Sequence, residues 1–110
     1  MSLTFNIIIE KPVRVIELVG SITSDNDVSS LNDLLLDEHF DYIYDISQLT
    51  HTNSSGIGFF IRTLTRCRIG GGELVLVGLT GNVLKLFEIS KIERLFTIYK
   101  SVEEGKTHFN

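Results

Sequence analysis

The sequence predicts an α/β fold: one mixed β-sheet of about five strands, with helices packed mainly on one face. Three observations carry this. From residue 24 onward, short aliphatic runs alternate with stretches of helical period. The two N-terminal runs, Phe5–Glu10 and Val13–Val19, have only the turn residues Glu10, Lys11 and Pro12 between them. The later runs are apolar throughout at their centres, as in strands covered on both faces. The order is β-β-α-β-α-β-α-β, with a short final helix offered at the C-terminus. Strands alternating with helices imply crossovers and a largely parallel sheet.

Each element has its local reason. The first two runs make a hairpin, and Gly20 ends its second strand. Ser24 can cap a helix, and Asp27, three residues on, gives a weak capping box. Val28, Leu31, Leu34 and Leu35 then recur at helical spacing up to about Asp37. Residues 42–46 read as an interior strand. The segment Asn53-Ser54-Ser55-Gly56 opens a second helix, whose buried stripe is Ile57, Phe60, Ile61 and Leu64, with Cys67 as a continuation. Phe59, Arg62, Thr63 and Arg66 fall on the other side. Gly70-Gly71-Gly72 releases the chain into the strand Glu73–Leu79. Thr80-Gly81-Asn82 starts a third helix, with Val83, Leu86 and Phe87 facing inward. Ser90 and Glu93 form a capping pattern for a further turn. Leu95–Tyr99 is the last strand. Ser101 and Glu104 offer a final helix start, which Gly105 weakens.

Composition bounds the function. The 110 residues suit one domain, taken as 1–110. At 43% hydrophobic and 22% charged, the chain has the balance of a folded globular protein. The net charge of −4 argues against non-specific nucleic-acid binding and against a polybasic membrane anchor. No secretory signal pattern and no run long enough to span a bilayer is visible, so the expected location is cytoplasmic. Cys67 is the sole cysteine; it can form no intrachain disulfide and reads as a small core residue.

Enzyme motifs are absent or broken. Gly70-Gly71-Gly72 precedes a strand and has no Gly-Lys-Ser/Thr after it, so it is a turn and not a phosphate loop. Thr52-Asn53-Ser54-Ser55-Gly56 has the position of a hydrolase nucleophile elbow, but Thr52 stands where the first glycine belongs. Hydrolysis through Ser54 is therefore the weakest of the functional readings. His39, His51 and His108 have no metal-ligand spacing. The local group Asp37, Glu38, His39 and Asp41 reads as a solvated helix-end loop. No catalytic residue, metal or cofactor is expected.

The Asn53–Gly56 segment carries physics of its own. A serine at a helix N-terminus faces unpaired backbone N–H groups, and a phosphate on it would meet those donors and the positive end of the helix dipole. Gly56 and Gly58 add little bulk, which would let another protein approach closely. The plain alternative is an N-cap, Ser54 or Ser55 serving only the helix. Phe59 is either an exposed aromatic anchor for a partner or tucked under a neighbouring loop. Arg62, Arg66 and Arg68 are either a solvated face or a site for an acidic patch.

Four segments in order resemble the STAS domain, in particular the stand-alone bacterial anti-sigma factor antagonists. They are Val19-Gly20-Ser21-Ile22; Tyr44-Asp45-Ile46-Ser47-Gln48-Leu49; Asn53-Ser54-Ser55-Gly56-Ile57-Gly58; and residues 71–78 leading into residues 83–90. The resemblance implies a switch. An unphosphorylated domain binds an anti-sigma factor that is also a serine kinase of ATP-binding fold. Phosphorylation at the position matching Ser54 ends the complex, and a serine phosphatase resets it. The expected contact surface is Thr23, Asn53, Ser54, Ser55, Gly56, Gly58, Phe59 and Arg62. The chain departs from the family pattern at two positions: Asn53 stands where an Asp precedes the serine, and Thr23 where an Asp often follows the second strand. The alternative reading is a non-phosphorylated STAS subunit of a stressosome-like scaffold or of a lipid-transport ATPase complex.

Overall fold

A computed structural model describes residues 3–36 and 38–109. The five strands are β1 (Thr4–Glu10), β2 (Val13–Ile22), β3 (Asp41–Thr52), β4 (Glu73–Val77) and β5 (Thr97–Tyr99). They lie side by side in that order in one sheet. β1 pairs antiparallel with β2, and every later pairing is parallel. The helices are α1 (Asp25–Leu31), α2 (Ser54–Ile69), α3 (Gly81–Ile89) and α4 (Val102–Lys106). This is the predicted mixed sheet and element order, with the short final helix present.

Alternation along the strands divides the interior in two. Tyr42, Tyr44, Leu74 and Leu76 point to the face covered by α1, α2 and α3. Val13, Val15, Ile43, Val75 and Val77 point to the other face, where Val102 and Phe109 pack. Gly105 does the opposite of weakening this arrangement. A Cβ there would come within 2.9 Å of Val77 Cγ1 and 3.3 Å of Val75 Cγ1, so its bare backbone lets α4 lie close on the sheet. The Ser101 hydroxyl accepts from the Glu104 N–H and caps α4.

Two strands run further than their apolar centres indicate. β2 continues past Gly20 to Ile22, and β3 past Ile46 to Thr52. Gly20 has φ +106°, and the β2–β3 register shifts between Gly20 and Ser21 as well as between Glu17 and Val19. These irregularities are bulges, which bend a strand without ending its ladder. Gly20 is thus a hinge inside β2 and not its end. Downstream, Ser90 closes α3 and caps nothing; the turn Glu93–Leu95 is a 3₁₀ segment with no side-chain cap.

The face assigned to α2 also changes. Its buried residues are Gly56, Phe59, Phe60, Thr63, Leu64 and Cys67. Phe59, expected on the outer side, is fully buried and stacks on Tyr44 with ring centroids 6.1 Å apart and planes 3° from parallel. Thr63 is buried too. Its hydroxyl lies 3.0 Å from the Tyr44 hydroxyl and 3.0 Å from the Phe59 carbonyl oxygen, which satisfies a polar group on a core face. Ile57 and Ile61 sit at the flanks, half-buried. Phe59 therefore belongs to the core and cannot be a surface anchor. Phe59→Ala should lower unfolding stability by about 3–5 kcal/mol in urea denaturation. A change near zero would mean that Phe59 is on the surface after all.

Candidate functional site

The extended β2–β3 pairing builds the site. Ile22 pairs with Thr52 at the end of the ladder, and the Asn53 N–H donates to the Ile22 carbonyl at 3.0 Å. Both strands then turn into helices at the same edge, so the start of α1 and the start of α2 lie together.

Each start is capped by a different residue type. At α1, Ser24 is the N-cap and Asp27 completes a reciprocal capping box, the pattern the sequence shows. The Asp27 carboxylate accepts from the Thr23 N–H at 2.9 Å and the Ser24 N–H at 3.2 Å. These bonds, that from the Thr23 backbone foremost, hold its carboxyl below the usual range. At α2 the cap is Asn53, and neither Ser54 nor Ser55 serves that role. The Asn53 side-chain oxygen accepts from the Gly56 N–H at 3.1 Å. An aspartate would do the same, so the neutral residue costs the helix little.

With capping done by Asn53, the two serines are left for other work. Ser54 is the first residue of α2 and is exposed; its hydroxyl has no hydrogen-bond partner among the described residues. Its N–H and that of Ser55 lie in the first helical turn, where the helix itself supplies no acceptor. The Ser55 hydroxyl donates to Asp25 Oδ1 at 2.7 Å, across to α1.

Between the two helices runs an open cleft of about 390 Å³, walled by Asp25, Val28, Ser29 and Asn32 on one side and by Ser54, Ser55, Gly58 and Arg62 on the other. Arg62 closes its far end. Its guanidinium donates to Asn32 Oδ1 at 3.5 Å and lies 5.9 Å from the centre of the Phe59 ring. Gly58 leaves the α2 wall low, since a Cβ there would meet only Arg62 Nη1, at 3.6 Å. Gly56 acts differently. It is buried, and a Cβ would come within 2.1 Å of Thr52 Oγ1 and 3.0 Å of Ile22 Cγ2. Its missing side chain lets the strands close under the helix and opens no approach from outside.

The structure thus gathers Asn53, Ser54, Ser55, Gly58 and Arg62 at one edge, with Thr23 exposed just before the α1 cap. It withdraws Phe59 and Gly56 from the surface. Arg66 and Arg68 do not join Arg62: Arg66 donates to the His39 carbonyl and stacks over Phe40, and Arg68 pairs with Glu73. Asp25 is the residue the sequence reading missed. Its one signal was an acid at the first position of a helix, which is common for dipole reasons alone. Asp37 lies outside the described residues, and among those described no three His, Cys, Asp or Glu side chains converge to hold a metal. Cys67 is buried, and desolvation pushes its thiol up to about 12, which leaves it no nucleophilic role at neutral pH. Among the described residues, no helix is long and apolar enough to cross a membrane.

The family model for the STAS domain matches residues 5–105. The chain belongs to the STAS domain family. Solved STAS-type structures repeat its fold over nearly their whole length. A Thermotoga maritima protein assigned as an anti-sigma factor antagonist superposes with a TM-score of 0.85 at 17% identity, covering 94% of this chain and 92% of that one. An anti-sigma factor antagonist from Mycobacterium paratuberculosis gives 0.83 at 15% identity, covering 97% and 93%. The Bacillus cell fate determinant SpoIIAA in its phosphorylated form gives 0.71 at 17% identity, covering 97% and 100%.

Two measurements check the capping at this candidate site. Asn53→Ala should lose about 0.5–2 kcal/mol of stability, while Asn53→Asp should hold it, by chemical denaturation. The Asp27 cap should show as a pH dependence. Its folded carboxyl titrates below the unfolded value, so its contribution is complete above about pH 4 and is lost as pH falls through the folded value. The stability advantage of the wild type over Asp27→Asn should therefore shrink on acidification from pH 6 to pH 3. An advantage that grows instead would mean the carboxylate is unfavourable where it sits.

Proposed function

We propose that this STAS domain is a regulatory protein of the anti-sigma factor antagonist type, which carries out no catalysis. Its edge around Ser54 binds an anti-sigma factor that is itself a serine kinase of ATP-binding fold. The γ-phosphoryl group of the partner's ATP is transferred to Ser54 Oγ, whose proton departs as ADP is released. The modified edge then lets go, and a serine phosphatase removes the phosphate. Such partners would place the chain in the cytoplasm.

The observation that carries this reading is the division of labour at the start of α2. Asn53 caps the helix, Ser55 is bound to Asp25, and Ser54 alone presents a free, exposed hydroxyl. A phosphate on it adds about 1.5 to 2 negative charges beside the first-turn N–H groups, which favour it thermodynamically. The same charge would sit on an edge that a partner must approach closely over Gly58, so the modification tells directly against binding. Hydrolysis draws no support from the geometry: among the described residues no histidine or carboxylate is hydrogen-bonded to Ser54, so nothing would activate it.

Wild type and Ser54→Asp can be used as baits in source-cell lysate with nucleotide present, followed by mass spectrometry. The expected result is a kinase-fold protein bound by wild type and lost with Ser54→Asp, with phosphate mapped to Ser54 in the recovered wild type. A partner that binds both baits equally would overturn the charge-sensitive switch. A transport ATPase or a scaffold recovered in that way would instead make the non-phosphorylated subunit the better reading.

A further inference from the structure

We propose that the Asp25–Ser55 hydrogen bond is a latch between α1 and α2, and that a phosphate on Ser54 opens it and loosens α1. The proposal rests on the reading of Ser54 as the modified residue and adds how the modification reaches the rest of the edge.

α1 is a short helix of seven residues. It is held from below by Val28 and Leu31, and across the cleft by two polar ties. One is Asp25 to Ser55 at 2.7 Å; the other is Asn32 to Arg62 at 3.5 Å, near the limit for such a bond. The first is the short, charge-assisted one. It lies at the Ser54 end of the cleft and uses the serine next to Ser54 in the chain.

A phosphate on Ser54 works against this bond in two ways. Its charge repels the Asp25 carboxylate, the one acidic side chain lining the cleft among the described residues. Asp27 is turned away toward Thr23 and Ser24 and stays in its capping box. The phosphate oxygens also compete for the same donor, the Ser55 hydroxyl, whereas an ionised Asp25 has no proton to offer the phosphate in return. Arg62, the cation in the cleft, stands at the other end beside Asn32 and Phe59. Release therefore acts on the α1 wall as a unit and leaves its cap intact. The partner-facing edge would change shape as well as charge.

The test is amide hydrogen exchange by NMR on the whole chain, with phosphoserine encoded at position 54 during synthesis. The amides of residues 29–32 report α1. In the wild type, phosphoserine should speed their exchange about five- to tenfold. In Asp25→Asn, which can still accept from Ser55 but carries no charge, the acceleration should fall below about twofold. Ser55→Ala lacks the latch, so its α1 amides should exchange fast before any modification and gain little from it. No acceleration in the wild type would overturn the proposal, as would equal acceleration in wild type and Asp25→Asn, or wild-type protection of α1 in Ser55→Ala. Because the phosphoserine is encoded and no kinase acts on the protein, this result is independent of whether any cellular kinase modifies Ser54. Failure of the kinase reading and failure of the latch are therefore seen in different experiments.

Discussion

Everything at the candidate site depends on the parallel pairing of β2 with β3 being carried to its last residues. The ladder survives two register shifts, ends at Ile22 and Thr52, and is closed by the Asn53 N–H on the Ile22 carbonyl. Were β2 to stop at Gly20, the two chain exits would be free to diverge. Carried to the end, the pairing holds the starts of α1 and α2 a hydrogen bond apart. The bulge residue Gly20, at φ +106°, is what allows the strand to bend and still pair.

The two walls of the cleft are held with very different firmness. α2 is fixed along its length: Gly56 admits Thr52 and Ile22 beneath it, Phe59 stacks on Tyr44, and Thr63 bonds Tyr44 through a fully buried pair of hydroxyls. Burial keeps the Tyr44 phenol neutral: desolvation pushes its ionisation far upward, and the Thr63 hydrogen bond opposes this only in part. α1 has only about two turns of helix, two buried side chains, and polar ties at its ends. A group attached at Ser54 thus meets a rigid support on one side and a yielding one on the other. Local opening is easiest where few apolar contacts are buried, which here means α1 and not α2.

The sequence made the element order and the starts of the two helices that wall the candidate site legible because both depend on strong local signals: runs of β-branched residues, a capping box at Ser24, and a polar Asn-Ser-Ser-Gly ahead of a helical period. The phase of α2 was not legible, for a physical reason. Its core face begins with a glycine, which has no side chain to mark it, and includes a threonine whose hydroxyl is satisfied by the Phe59 carbonyl and by a tyrosine nineteen residues earlier. Counting apolar residues alone rotates the helix toward Ile57 and Ile61 and puts Phe59 outside. The lengths of β2 and β3 were hidden because β2 passes through a bulge at Gly20 that reads as an end, and the outer half of β3 is polar; both are held by a ladder that neither strand signals alone. Asp25 was hidden for a similar reason: its partner lies thirty residues away.

The placement of charge at this edge has its own logic. A residue that caps α2 has only to offer an oxygen to the Gly56 N–H, and Asn53 does so without charge. A carboxylate at that point would face any anion on Ser54 yet be held by the cap, with nowhere to go. Asp25 puts the negative charge on the opposite wall instead, on a side chain whose bond to Ser55 of α2 can be broken without unwinding either helix. Repulsion by a phosphate is then directed onto a single exposed hydrogen bond. A tie of that kind is worth little in water and is weakened further by salt, so a modest change of charge is enough to decide it.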